Sequence, residues 1–405
     1  MKKLLVTLLL TGATLVAAVS PAAAWNSANP TSGPDNPLAN QNWFVDWQWG
    51  MSQRQYLEYV TNGHLDRLDR VVHGPSVELL RGDERNAAKD AMWPILQRTD
   101  PYSFLPEVSP QNQDKARLML KIARNPQTFR PGDHPYAETR GYLDRMEEAN
   151  PGALAFLYLY HFPHRYANMK THAGGICGNF DQDGPSFDAK YRAWIDSVAS
   201  AIGSRHVAVF LEPDGLMTMH CLTKRAQRSR YALFNYGVDK LGAKPNAAVY
   251  IDAGHSGWFG KKDKIRQKVA ALRRAGVLKA RGFFLNSTGY NRTSVEVAHG
   301  NQLVRMLGGK PRFIVSTAVN GRGPYRVRGR GLRYDEEQRC NPPGRALGPE
   351  PTVTTTSPYA DAFAWIGDPG RSGAACHQPG QPQAPKGGAW WEWYALDLAR
   401  NTGWQ

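Results

Sequence analysis

A chain of 405 residues, 41% of them hydrophobic, is long enough for one large α/β unit with a substantial core. Its 50 lysines and arginines against 35 acidic residues give a formal charge of +15, spread along the chain rather than gathered in one tail. No nucleic-acid fold signature accompanies that charge, the apolar run near the start is too short to span a bilayer and no later run is long enough, so neither nucleic acid nor an integral membrane protein is the expected reading.

Residues 1–24 read as a secretory signal. Lys2 and Lys3 form the basic head, Leu4 to Leu10 the apolar centre, and Ala22, Ala23 and Ala24 a small-residue cleavage site. The mature protein is then expected to be secreted and extracellular, with no membrane association after signal removal. Residues 25–405 are expected to form a single domain and a monomer. No long linker and no internal repeat divides them.

Asn42 to Asp46 is predicted as the first strand and Pro126 to Phe129 as the second. Further strands are predicted at Leu154–Tyr160, Val207–Leu211, Ala247–Ile251, Gly282–Asn286, Arg312–Val315 and Ala362–Ile366. Helical periodicity covers Lys115–Asn125, Glu138–Ala149, Phe187–Ile202 and Arg225–Leu241, with a closing helix at Trp390–Leu398. The cations of Lys261–Arg274 are predicted as the solvated face of another helix. Alternation of strand and helix predicts a parallel α/β architecture. The Gly-rich, cationic stretch Arg322–Arg333 makes an anionic cell-wall polymer a candidate partner.

Four cysteines in an exported chain predict two disulfides, with three pairings open. No Cys-x-x-Cys or His-x-x-x-His spacing supports a metal site, so no metal and no cofactor are expected.

Two of the apolar strands end in acid. Val207–Leu211 runs into Glu212 and Asp214, with Pro213 stiffening the turn between them. Ala247–Ile251 stops at Asp252, and a Gly-rich turn carrying His255 and Trp258 follows. Carboxylates delivered at the ends of parallel strands point to a site on the C-terminal face of a barrel. A carboxylate, an imidazole and an indole there suit a polar, ring-shaped ligand.

Glu212-Pro-Asp-Gly-Leu216 and Tyr250-Ile-Asp-Ala-Gly-His-Ser-Gly-Trp258 resemble motifs of glycoside hydrolase family 6, the cellulase family B. So do Tyr160-His-Phe-Pro-His-Arg165, Cys340-Asn-Pro-Pro-Gly344 and Gly388-Ala-Trp390. The five fall in the family's order across most of the chain. The resemblance implies a distorted (β/α) barrel with mostly parallel strands. It implies an inverting, endoglucanase-like glycosidase acting on a β-linked polysaccharide such as a β-1,4-glucan. Asp214 takes the place of the general acid and Asp252 of the second carboxylate. Tyr160, Arg165, His255, Trp258, Asn286 and Trp390 fall at substrate-binding positions. The disulfides it implies are Cys177–Cys221 and Cys340–Cys376.

Departures from the family pattern are concentrated around the acid's partners. Tyr166 stands where an Asp supports the acid, and Ser316 where a strand usually ends in Asp. Gly367, Arg371 and Gly373 replace a Lys, a Glu and the Asp that is the usual base candidate. Asp181, Asp183 and Asp368 are the nearby carboxylates that could substitute. A non-catalytic or weakly active sugar-binding member of the same fold is therefore the alternative.

Overall fold

The computed structural model describes residues 36–39, 42–45, 110–123, 125–162, 185–258, 262–325, 341–377 and 380–403. Seven strands pair in chain order and all in parallel: β1 (Thr128–Phe129), β2 (Leu154–Leu159), β3 (His206–Leu211), β4 (Ala247–Asp252), β5 (Gly282–Leu285), β6 (Arg312–Ser316) and β7 (Ala360–Ala364). Helices fill the crossovers: α2 (Pro135–Ala149), α3 (Pro185–Ile202), α4 (Lys224–Gly242), α5 (Lys262–Arg274) and α6 (Thr293–Met306). Helix α1 (Pro110–Ala123) precedes β1, and α7 (Glu392–Asn401) follows β7. The sheet curls into a half-barrel, the distorted α/β barrel expected from the sequence.

The strands read as unbroken apolar runs because both of their faces are covered. Phe156, Phe210, Tyr250, Phe284, Ile314 and Ala362 point to the inside of the curl. The alternate residues, Leu157, Val209, Val249, Phe283 and Phe313, pack outward against the helices. Phe210 sits edge-on to both Phe156 and Phe284, with ring centroids 5.7 and 5.5 Å away. This is a favoured aromatic geometry.

Three expectations differ from the structure. Helix α6 was not anticipated, since Gly300 in its middle weakens the helical signal. Packing requires that glycine: a Cβ there would lie 2.6 Å from Phe313 on β6. The Asn42–Asp46 stretch, in its described part, makes a single bridge from Trp43 to Leu154 at the foot of β2 rather than a full strand. Lys268, expected on a solvated face of α5, is buried. No described helix is long and apolar enough to cross a membrane. The 1–24 segment, Arg165, Tyr166, Cys177, Asp181, Asp183, Cys340 and most of the Arg322–Arg333 stretch lie outside the described residues.

The foot of the curl is closed by charge. Arg281, just before β5, grips Asp361 of β7 through two bonds of 2.9 Å, and Tyr250 of β4 donates its hydroxyl to the same carboxylate at 2.7 Å. All three are buried. Removing one partner of a buried pair strands the other charge. Asp361→Ala is expected to lower the unfolding free energy by about 3–5 kcal/mol. Tyr250→Phe, which removes one hydrogen bond, is expected to cost about 1 kcal/mol. Denaturant titration of both variants checks the ranking; equal losses would mean that the ion pair is not the seat of the stability.

Candidate active site

The acid-bearing turn leaves β3 in a conformation that few residues adopt. Glu212 and Asp214 both have left-handed backbones, with φ of 51° and 62°. Each such non-glycine residue carries a cost of about 1–3 kcal/mol, so its surroundings must hold it in place. Two carboxylates do so. Glu212, fully buried, accepts from the backbone N–H groups of His161 and Phe162 at 2.9 Å each and ties the exit of β2 to the exit of β3. Asp252, also fully buried, accepts from the N–H of Asp214 at 2.8 Å and of Gly254 at 3.0 Å. Burial, and then the charge of Asp214, push the Asp252 carboxyl up to about 8, against the pull of those two amides.

Asp214 itself is half-buried at the mouth. Tyr160 donates to one of its oxygens at 3.3 Å and Thr288 to the other at 3.2 Å. Tyr160 lies 5.9 Å, ring to ring, from Tyr158, and the Arg130 guanidinium rests over its face at 4.9 Å. Among the described residues, the mouth of the curl therefore carries one partly exposed carboxylate set in hydroxyls and tyrosine rings.

A second layer supports the His255 turn. His255 is buried, and its Nδ1 faces the Gly257 N–H at 3.1 Å. Its ring is 5.3 Å from Trp258, which is half-buried against the outer core. Lys268 reaches in from α5 and donates to the His255 carbonyl at 3.0 Å, with His299 Nε2 also at 3.0 Å. Glu296 of α6 accepts from Ser256 Oγ at 2.6 Å and from Asn291 at 2.8 Å. Burial drives the Lys268 ammonium down to about 8 and both imidazoles down to about 3.

Asn286, with φ of 70°, is buried, and its amide donates to the carbonyls of Asn291 and Ser316 at 3.0 and 3.2 Å. Trp390 pairs by backbone with Arg371 and packs against the cluster around Trp365 and Tyr394. Asp368, one of the carboxylates that could substitute for the base, is buried. It accepts from both the N–H and the hydroxyl of Thr128 at 3.1 Å and from Arg371 Nε at 2.6 Å. These bonds join the two edge strands, β1 and β7, through side chains.

Residues 94–402 match the family model for glycosyl hydrolases family 6. The chain belongs to that family. It is 34% identical over 296 residues to endoglucanase A of Cellulomonas fimi, covering 72% of this chain and 57% of that protein. To endoglucanase 1 of Streptomyces sp. (strain KSM-9) it is 36% identical over 197 residues, covering 48% and 51%. The chain thus spans about half the length of these curated relatives. Among solved family 6 structures, endoglucanase Cel6 of Mycobacterium tuberculosis, in complex with methyl-cellobiosyl-4-deoxy-4-thio-β-D-cellobioside, superposes with a TM-score of 0.62. It is 30% identical, and the match covers 91% of this chain and 100% of that one.

Of the expected site residues, the family 6 fold here brings Tyr160, Asp214 and Asp252 together, with His255 and Trp258 on the adjoining turn. Arg165 lies outside the described residues. Sequence reading gave no role to Arg130, Lys268, Glu296 or His299. Arg130 stood in no motif, and a lone Lys in a cationic helix reads as solvated.

His299 yields a pH prediction. Its imidazole is depressed to about 3, because burial and the Lys268 ammonium oppose a second cation there. Between that value and the ordinary ~6.5, the unfolded chain binds a proton that the folded chain does not. Stability is therefore lost as pH falls through this window. Asp252, raised to about 8, gives the opposite slope above pH ~4. His299→Gln keeps an acceptor for Lys268 and removes the titration. Its urea-derived stability is expected to fall less than the wild type's between pH 6.5 and 4; parallel curves would refute the assignment.

Proposed function

We propose that this protein is a secreted glycosidase that cleaves a β-linked polysaccharide, a β-1,4-glucan or a related glycan, by an inverting mechanism with Asp214 as general acid. The observation that carries this reading is Asp214 itself. It is the partly exposed carboxylate of the described mouth, its two oxygens aligned by Tyr160 and Thr288 and its backbone pinned by Asp252. An inverting enzyme needs a protonated carboxyl at the leaving oxygen and a base that directs water to the opposite face. Asp252, enclosed and bonded to two amides, acts on the acid through the turn. Trp258 offers an indole face to a sugar ring, and His255 fixes the turn that carries it. Tyr160 lines the floor, with Arg165 and Trp390 as further substrate contacts and Asn286 as a support of the adjoining loop. Residues 25–405 act as one unit after loss of 1–24.

The base side supports slow turnover. Gly373 stands at the expected base position, and the oxygens of Asp368 are committed to Thr128 and Arg371. The same observation favours a second reading, a carbohydrate-binding member of the family with little or no hydrolysis.

Asp214→Asn is expected to lower reducing-sugar release from soluble β-1,4-glucan by roughly a hundredfold or more, with binding retained. Gly373→Asp is expected to raise it. Unchanged turnover in Asp214→Asn would remove Asp214 from the acid role. Glycan binding without cleavage in the wild type and in Gly373→Asp would establish the second reading.

Cys376 is disulfide-bonded. We assign its partner as Cys340, and pair Cys177 with Cys221. Non-reducing peptide mapping is expected to return these two bridges and no free thiol; any other pairing overturns the assignment.

A further inference from the structure

Arg130 has no place in the mechanism above, yet it lies over the tyrosine that bonds the acid. It directly follows β1, two positions after Thr128, so extended backbone turns the two side chains to the same inner face. Its guanidinium lies over the Tyr160 ring at 4.9 Å, and the hydroxyl of that ring holds Asp214. The Arg130 side chain is exposed to solvent, and no carboxylate among the described residues pairs with it. A guanidinium held over an aromatic ring keeps its planar fork of N–H donors, the geometry that fits a carboxylate in two parallel bonds.

The opposite side of the seam repeats the charge. Arg371 donates to Asp368 and, through Nη1, to the Gly388 carbonyl at 3.0 Å, while its side chain remains 43% exposed. Between the two cations lie Tyr158 and Gly367. Gly367 has φ of 83°, and a Cβ built on it would meet nothing closer than the Ser287 carbonyl at 3.5 Å and the Tyr158 hydroxyl at 3.9 Å. The Tyr158–Tyr160 pair next to Asp214 thus has Arg130 against one ring, with Gly367 and the charge of Arg371 close to the other.

Accepting the glycosidase or glycan-binding reading on which this rests, we propose that this end of the mouth takes a uronate: a β-linked glycan whose sugar beside Tyr158 carries a carboxylate, gripped by Arg130. A neutral sugar hydroxyl can also accept from the guanidinium. A carboxylate accepts two parallel, charge-assisted bonds, each roughly twice as strong as a neutral one. Arg371, already shared with Asp368, biases the same end of the cleft toward anions at longer range.

The test is titration calorimetry of the full chain with two tetrasaccharides of one backbone, cellotetraose and its C6-oxidised β-1,4-glucuronate counterpart. The wild type is expected to bind the uronate at least about tenfold more tightly, the scale of one hydrogen bond to a charged group. Arg130→Gln is expected to raise the uronate Kd about tenfold more than the cellotetraose Kd. Arg130→Lys, which keeps the charge but loses the fork, should recover only part of the preference. Equal affinities in the wild type, or a uronate preference that survives Arg130→Gln, overturn the proposal. If cellotetraose is bound and the uronate is not preferred, this inference fails while the glycan reading stands; if neither binds, both fall.

Discussion

Parallel pairing in chain order is the constraint from which the rest follows. With β1 to β7 hydrogen-bonded as consecutive neighbours, one parity of every strand faces the inside of the curl. Phe156, Phe210, Tyr250 and Phe284 occupy that face through the middle. The same parity brings Tyr158 of β2, Asp252 of β4 and Ser316 of β6 to the upper rungs and Thr128 of β1 level with Phe156, while Tyr160, Arg130 and the left-handed turn of Glu212 and Asp214 follow just past the strand ends. The polar mouth is an extension of the apolar stack, made where strand ends reach water.

Placing carboxylates at that level has an electrostatic cost, and the structure meets it with backbone. Glu212 and Asp252 are enclosed, and both accept main-chain N–H groups from the turns that they organise. They brace the two left-handed residues of the acid turn. Gly254 completes the arrangement: its φ is 63°, and a Cβ would lie 2.7 Å from Met217. Behind it, Lys268 and Glu296 set one buried cation and one buried carboxylate on either side of the His255 turn, so that the turn is held by charge-assisted bonds to α5 and α6.

The seam holds Gly367, Arg371 and Gly373, the positions that the sequence reading set apart from the family pattern. The ladder ends at β1 and β7, and Asp368 bridges them with one carboxylate serving Thr128 and Arg371 at once. A side chain that closes the sheet in this way cannot also direct water at a sugar. The Arg at 371, read from sequence as a lost Glu, is the cation that makes a buried Asp368 tolerable. Its pKa is raised by that neighbour, as a guanidinium beside a carboxylate requires.

The alternation of buried strands and amphipathic helices, the acids at the ends of β3 and β4, and the family were legible in the sequence, because strand burial and local turn chemistry write themselves into contiguous residues. Helix α6 was not, since the reason for Gly300 is Phe313, on a different element. Contacts between distant positions decided the rest. Whether Asp368 faces water or Thr128, 240 residues away, depends on how two sheet edges meet. Whether Lys268 is solvated or turned toward His255 depends on the packing angle of α5. Whether Arg130 meets the ring of Tyr160 depends on the register of β1 against β2. Composition and periodicity carry the hydrophobic pattern; the partner of a buried charge is set only when the chain has closed around it.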